Sequence, residues 1–208
     1  VSSGAFYKAI EDTAAASLPK DYHIEWTGLS YQERQNAGQI VTLMGLALLF
    51  AYLFLVAQYE SWTIPLSVML SVLFAVMGAL LGLELTGGDM SIYTQLGMVM
   101  LIGLAGKNAI LMVEFAKTAR ESGLSIIEAA KQGASIRFRA VMMTAWSFLF
   151  GVLPLVFATG AGSASRRAIG ITTFAGMLSA TLIGIFFIPF LFTLFETLRE
   201  KFHAWRRS

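Results

Sequence analysis

A lysine, an asparagine and a glutamate interrupt the apolar segment GLAGKNAILMVEF at residues 103–115. The 14 residues before the lysine, 93–106, cover about 21 Å of helix at 1.5 Å per residue. That length is short of the roughly 30 Å hydrocarbon layer of a bilayer. Apolar sequence resumes after Asn108, so the helix is predicted to continue to about Lys117. Lys107 is therefore predicted to lie near mid-depth in a membrane.

A lysine at that depth costs about 2.5–3.5 kcal/mol on the insertion scale and normally pairs with an anion along an ion or proton pathway. The acidic residues of segment 38–195 lie in predicted loops or near the ends of apolar stretches: Glu60, Asp89, Glu84, Glu114, Glu121, Glu128. The counter-ion of Lys107 must then come from other sequence or another chain. The simpler alternative is a span that ends at Lys107, with its ammonium at the interface.

Two further polar residues accompany this lysine. Glu114 shares a face with Lys107 but lies about 10 Å along the axis, too far for a direct pair. An interfacial position beside Lys117 or Arg137 is the simpler interpretation of Glu114. Asn108 points about 100° away from Lys107, in position for a hydrogen bond across helices.

The next apolar stretch begins RFRAVMMT at residues 137–144. Arg137 and Arg139 are typical of a basic anchor at a membrane surface. Thr144 follows Arg137 by seven residues and shares its face, although a threonine in a span often bonds only its own helix backbone. The spacing leaves open whether Arg137 and Thr144 face Lys107 and form a row of polar side chains with it.

Composition places the chain among membrane proteins. Of its 208 residues, 56 % are hydrophobic and 13 % charged, against about 25 % charged in soluble domains. The 15 basic and 13 acidic side chains indicate no nucleic-acid partner. With no cysteine and two distant histidines, no metal or cofactor site and no enzyme's nucleophilic triad is predicted.

The order of apolar and polar segments predicts an all-α polytopic membrane protein. Five stretches meet the requirement of about 20 apolar residues per span: 38–57, 63–84, 92–116, 139–158 and 168–195. Ser125 and Glu128 form a capping box that predicts a surface helix near 125–134.

Residues 1–36 have a different, soluble character. A helix stopped by Pro19 is followed by DYHIEWTG, residues 21–28, whose alternation is typical of a strand. One helix and one strand bury no core of their own, so they are expected to complete an α/β domain lying outside this chain.

Basic residues predict the orientation. Nine lie on the side of the C-terminus: Lys117, Arg120, Lys131, Arg137, Arg139, Arg199, Lys201, Arg206 and Arg207. The opposite side has five: Lys8, Lys20, Arg34, Arg166 and Arg167. The positive-inside rule then places the C-terminus in the cytoplasm and residues 1–36 outside.

Five ordered motifs carry a family resemblance: WTGLSYQER (26–34), YESWTIPLSVML (59–70), GLAGKNAILMVEFAK (103–117), RFRAVMMT (137–144) and GVLPLVFATGAGSASRRAIG (151–170). The sequence resembles the C-terminal portion of a bacterial resistance-nodulation-division (RND) multidrug efflux transporter of the hydrophobe/amphiphile exporter branch. The resemblance implies the end of a periplasmic porter subdomain at 1–36 and helices 8–12 of twelve at 37–198. A basic cytoplasmic tail would follow at 199–208.

The resemblance also implies a proton antiporter of the inner membrane. In this family a lysine of the tenth helix pairs with two aspartates of the fourth, helped by an arginine and a threonine of the eleventh. Lys107, Arg137 and Thr144 match the last three, with Asn108 and Glu114 as possible support. The aspartates would lie in the N-terminal half of the transporter. A homotrimer, a periplasmic adaptor, an outer-membrane channel and the lipid bilayer are the implied partners.

Other functions remain open on the sequence. Within the superfamily, an exporter of metal ions or a protein-translocation auxiliary would share this architecture. The 10 methionines are scattered through apolar stretches and do not form a ligand path. A non-transporting membrane scaffold, in which Lys107 holds a partner subunit, is the alternative from another class.

Overall fold

A computed structural model describes residues 3–19, 21–22, 24–28, 30–31, 40–88 and 90–205 of the chain. The helices that position the polar residues are α1 (Ser3–Ser17), α2 (Ile40–Tyr59), α3 (Ile64–Leu85), α4 (Ile92–Glu121), α5 (Ile126–Val156), α6 (Ser163–Leu182) and α7 (Gly184–Trp205). The basic tail predicted at 199–208 begins within α7, and its residues 206–208 lie outside the described ranges.

The predicted strand at 21–28 is not formed in the described part of that segment. A lone strand has no neighbour to satisfy its backbone groups. The segment instead packs on α1 through Trp26, whose ring meets the ring of Tyr7 edge-on at 4.8 Å. The Trp26 Nε1 also donates to the Glu11 carboxylate at 3.3 Å. The helix before Pro19 forms as expected, but the α/β character of residues 1–36 is not confirmed.

Three described helices are long and apolar enough to cross a membrane: α3, α4 and α5. A fourth span results if α6 and α7 are counted together. In α2, the apolar part Gly45–Tyr59 is shorter than a span. The architecture is that of a helical membrane protein, while the predicted count of five spans is not confirmed.

The surface helix predicted near 125–134 is not separate from the next span. Ser125 and Glu128 form the predicted capping box, but the helix continues unbroken for 31 residues to Val156. No proline precedes Pro154 to stop it, and Gly133 packs so closely on Ala116 that a Cβ would lie 2.7 Å from its nitrogen. At about 46 Å, α5 exceeds the hydrocarbon layer by about 16 Å, and its charged residues lie in its first half.

The segment predicted as one span at 168–195 is bent by 55° where α6 gives way to α7. Gly184, a poor helix former, begins α7, and Pro189 in the following turn lacks an N–H to continue the hydrogen-bond ladder. The Ile183 carbonyl accepts from both Phe186 and Phe187, each at 3.1 Å.

The bend separates two packed clusters. Residues of α6 join α3, α4 and α5 in one cluster, which includes Met177, Leu101 and Leu149. Residues of α7 join α2, α3, α4 and α5 in the other, which includes Phe192 and Met112. Among the described helices, α3 and α6 make the most extensive contact. There Gly78 and Gly82 meet Ser179 and Ala175, and a Cβ on either glycine would overlap the side chain opposite.

Candidate functional site

Lys107 lies near the middle of the 30-residue helix α4, and its side chain is exposed. The helix begins at Ser91, whose hydroxyl accepts from the Thr94 N–H at 3.3 Å. It runs past Lys107 to Glu121 without interruption. The helix itself therefore does not end at Lys107.

Before Lys107, the face of α4 that carries the lysine is apolar; after it, the same face carries Glu114 two turns further on. Leu96 and Met100 are about half exposed along it, at 56 % and 45 %, and Gly103 is exposed between them and the lysine. Within the described ranges, the ion pairs join Lys117 to Glu121, Arg120 to Glu200 and Arg199 to Glu196, and none includes Lys107. An ammonium at the middle of an exposed apolar face calls for an anion from outside these helices.

Thr144 and Lys107 lie at a similar level of the bundle. Helices α4 and α5 run antiparallel, and the contact of Gly133 with Ala116 fixes their register. At equal rise, Thr144 on α5 lies opposite a residue within one turn of Lys107. The Thr144 hydroxyl donates to its own helix, at 3.0 Å from the carbonyls of Ala140 and Val141.

Arg137 lies about 10 Å further along α5 from Thr144, towards the start of the helix. Its guanidinium lies over the ring of Phe115 at 4.3 Å from the ring centre. Its Nε is buried and has no hydrogen-bond partner among the described residues. Thr144 thus lies at about the same level of the bundle as Lys107, and Arg137 lies about two turns from Thr144 along α5.

The side chains of the two supporting residues form no hydrogen bond or ion pair with the described residues. Asn108 is partly buried and makes no side-chain hydrogen bond within the described ranges. Glu114 is also partly buried, and in the same ranges it forms no ion pair with Lys117 or Arg137. Lys117 instead lies 3.8 Å from Glu121.

Tyr59 is the residue near the site that sequence reasoning missed. Tyr59 and Trp62 lie near the ends of apolar stretches, a position that is as typical of a tyrosine in the headgroup layer as of one in ordinary packing. The structure buries Tyr59 to 2 % exposure and directs its hydroxyl to the Ile110 carbonyl at 3.0 Å. Trp62 is 67 % exposed. The sequence indicates that Tyr59 lies near the end of an apolar stretch, but it does not indicate its hydrogen-bond partner, because Ile110 is 51 residues away.

A second cluster of charge surrounds the same end of α2, α4 and α7. A cavity of about 250 Å³ is lined by residues of both signs, among them Glu60, Lys117, Arg120, Glu196 and Arg199. The Arg199 Nη1 donates to the Glu196 carboxylate at 3.2 Å, and Arg120 pairs with Glu200. Each of the three basic residues has an acidic partner, and the pair of Arg120 with Glu200 joins the end of α4 to α7.

The packed helices of membrane-spanning length define an α-helical, multi-pass membrane protein. Residues 1–196 match the AcrB/AcrD/AcrF family. The chain belongs to this family of RND multidrug transporters, as the resemblance predicted.

Similar proteins include the toluene efflux pump membrane transporter TtgB of Pseudomonas putida, 43 % identical over 88 % of this chain and 18 % of the relative. The multidrug resistance protein MdtF of Escherichia coli is 43 % identical over 97 % of this chain and 19 % of the relative. The multidrug export protein AcrF of the same species is 42 % identical over 89 % of this chain and 18 % of the relative. The chain therefore spans less than a fifth of the curated relatives it matches.

Proposed function

We propose that this chain is the C-terminal membrane part of a proton-driven exporter of drugs and amphiphiles. Its role is to supply the basic side of a transmembrane proton relay. The observation that carries the proposal is Lys107: an exposed ammonium at the middle of α4, on an apolar face, with no ion pair in the described helices.

The counter-ions in this proposal are acidic residues of the N-terminal half of the same transporter. They pack against the open face of α4 and pair with Lys107 when ionised. Protonation of a carboxylate removes that attraction, so the lysine's pairing and the helix positions change with each proton. Thr144, at the depth of Lys107, and Arg137, held by Phe115, lie on the neighbouring helix, with Asn108 and Glu114 in support.

The surrounding arrangement belongs to the same proposal. The chain provides the last five of twelve spans in the inner membrane, with residues 1–36 in the periplasm and the C-terminus in the cytoplasm. The pump is a homotrimer that works with a periplasmic adaptor and an outer-membrane channel. Membership in the family and the names of the relatives support this assembly.

The test uses the intact transporter in vesicles with an imposed proton gradient. Lys107→Ala is expected to abolish drug export and drug-dependent proton movement while the protein remains folded in the membrane. Lys131→Ala is the matched control, because Lys131 is an exposed lysine near the start of α5. Export by Lys107→Ala at the rate of the control would overturn the relay.

A further inference from the structure

Tyr59, the last residue of α2, makes three contacts with α4. Its hydroxyl donates to the Ile110 carbonyl at 3.0 Å. Its own carbonyl accepts from the Lys117 Nζ at 3.4 Å, and that ammonium lies 5.7 Å from the centre of its ring. We propose that Tyr59 is a positioning residue that holds the segment of α4 carrying Lys107 against the end of α2. This inference rests on the proposed function of Lys107.

The bond to Ile110 acts close to the lysine. Ile110 is three residues from Lys107, about 4.5 Å along the axis, and on nearly the same face. In an α-helix the Ile110 carbonyl also faces the N–H of Glu114, so Tyr59 adds a second donor to one oxygen. A phenol that is 2 % exposed needs such a partner, since a buried hydroxyl without one is costly.

The contacts with Lys117 give a second anchor further along α4. Ile110 and Lys117 are seven residues apart, about 10 Å along the helix. A helix held at two points 10 Å apart cannot slide along α2 or rotate against it while both contacts last. Neighbours of Tyr59 in its packed cluster, among them Leu55, Met112 and Phe192, close the space around the ring.

The consequence concerns the position of Lys107 relative to its counter-ions. An ion pair in a medium of low dielectric constant depends steeply on distance, so a small shift of α4 changes how strongly the lysine attracts its counter-ions. By the register of Gly133 with Ala116, Arg139 on α5 is opposite Ile110, about 4.5 Å along the axis from the level of Lys107. The other charged groups of these elements lie further away: Glu114 and the Arg137 guanidinium about two turns or more along, Lys117, Arg120 and Glu121 at the end of α4, Glu128 and Lys131 at the start of α5, Glu84 at the end of α3, Arg166 and Arg167 at the start of α6, and Glu196, Arg199, Glu200 and Lys201 in the second half of α7. Tyr59 would therefore affect how strongly Lys107 pairs with the acidic residues of the proposed N-terminal half.

The test is Tyr59→Phe in the intact transporter, which removes only the hydroxyl. Tyr52→Phe is the matched control: Tyr52 is on the same helix and donates to the Trp62 carbonyl at 2.9 Å in an exposed position. We expect Tyr59→Phe to lower the export rate per folded transporter by about two- to tenfold, as one neutral hydrogen bond allows. The pH at half-maximal rate should also shift by roughly 0.4 unit, the equivalent of an average interhelical hydrogen bond in a membrane.

Lys117→Met tests the contact between Lys117 and Tyr59. It provides an independent test of the inference if Tyr59→Phe folds poorly. It retains most of the side-chain volume without the ammonium, and the same shift of the pH profile is expected. A merely structural role would reduce the amount of folded protein and leave the pH profile of the remainder unchanged. Unchanged profiles in both variants, with Lys107→Ala inactive, would overturn the positioning role alone. Normal export by Lys107→Ala would overturn the relay itself.

Discussion

The guanidinium of Arg137 lies over the ring of Phe115, 4.3 Å from its centre. This contact joins α5 to α4 eight residues, or about 12 Å, beyond Lys107. The Arg137 Nε is buried without a hydrogen-bond partner among the described residues, so the ring provides the visible stabilisation of this cation. The contact with Phe115 therefore fixes the guanidinium of Arg137 about 12 Å along α4 from Lys107, at one side of the proposed relay.

Phe115→Leu is expected to destabilise the intact transporter. A cation–π contact contributes about 0.5–1 kcal/mol when exposed and about 2 kcal/mol when desolvated, and leucine has no ring to offer. Phe138→Leu is the matched control, since Phe138 is 50 % exposed beside Arg137. The midpoint of thermal unfolding in lipid nanodiscs should fall further for Phe115→Leu. Equal midpoints would show that the ring contact contributes nothing measurable.

Gly78→Ala should destabilise the contact between α3 and α6. A Cβ at Gly78 would overlap the Ser179 side chain and lie 2.9 Å from the Ala175 carbonyl, and overpacking typically costs about 1–3 kcal/mol. Gly45→Ala on α2 provides the comparison, because nothing lies within 4 Å of the added Cβ and alanine favours the helix. Thermal unfolding should separate the two variants in opposite directions. A neutral Gly78→Ala would mean that the two helices stand further apart.

Glu60→Gly should leave stability unchanged or raise it by up to about 1 kcal/mol. Glu60 follows α2 in the left-handed region, with φ +50°, where an ordinary residue costs roughly 1–2 kcal/mol and glycine almost nothing. Glu60→Val should be the less stable variant, because a β-branched residue tolerates this conformation worst. The order of the two unfolding midpoints is the measurement, and the reverse order would contradict the left-handed conformation.

The capping box at the start of α5 should weaken in acid. Hydrogen bonds from the side chain and backbone of Ser125 hold the pKa of the Glu128 carboxyl below its ordinary value. Because the folded pKa is the lower one, the stabilisation is present above the unfolded pKa and is lost as pH falls through the folded pKa. Amide exchange at residues 126–129, corrected for its intrinsic pH dependence, should therefore lose protection in that range.

Ser125→Ala should raise exchange at those amides about fivefold at neutral pH, the equivalent of a typical N-cap loss. Glu128→Gln should remove the pH dependence. If the protection still changed with pH in Glu128→Gln, another group would be responsible.

The position of Lys107 could be predicted from the sequence because it depends on one helix only. The length of apolar sequence on each side decides whether a lysine lies inside a helix or at its end. The start of α5 at Ser125 was predictable for the same reason, since a cap is local. The role of Tyr59 was not, because Ile110 is 51 residues away and only the packing of two helices brings them together.

Two predictions that the structure does not confirm have physical explanations. The strand at 21–28 was predicted from alternation, but a strand forms only with a neighbour, and none lies beside the described part of that segment. A surface helix near 125–134 was predicted separately from the span, because the stretch of apolar sequence begins only at residue 139. Polarity marks where a helix leaves the lipid, whereas proline or a cap marks where it ends. The partners of Lys107 stay a prediction, since they lie outside the chain.

The bend of 55° at Gly184 divides the bundle energetically as well as in shape. Gly78 packs on α6, and Tyr59 belongs to the cluster of α7, with no shared side chain between them. Free-energy changes at independent sites add to within about 0.3–0.5 kcal/mol. A double variant of Gly78 and Tyr59 should therefore lose the sum of its single losses in free energy of unfolding, and a marked excess or deficit would show that the two packed clusters are coupled.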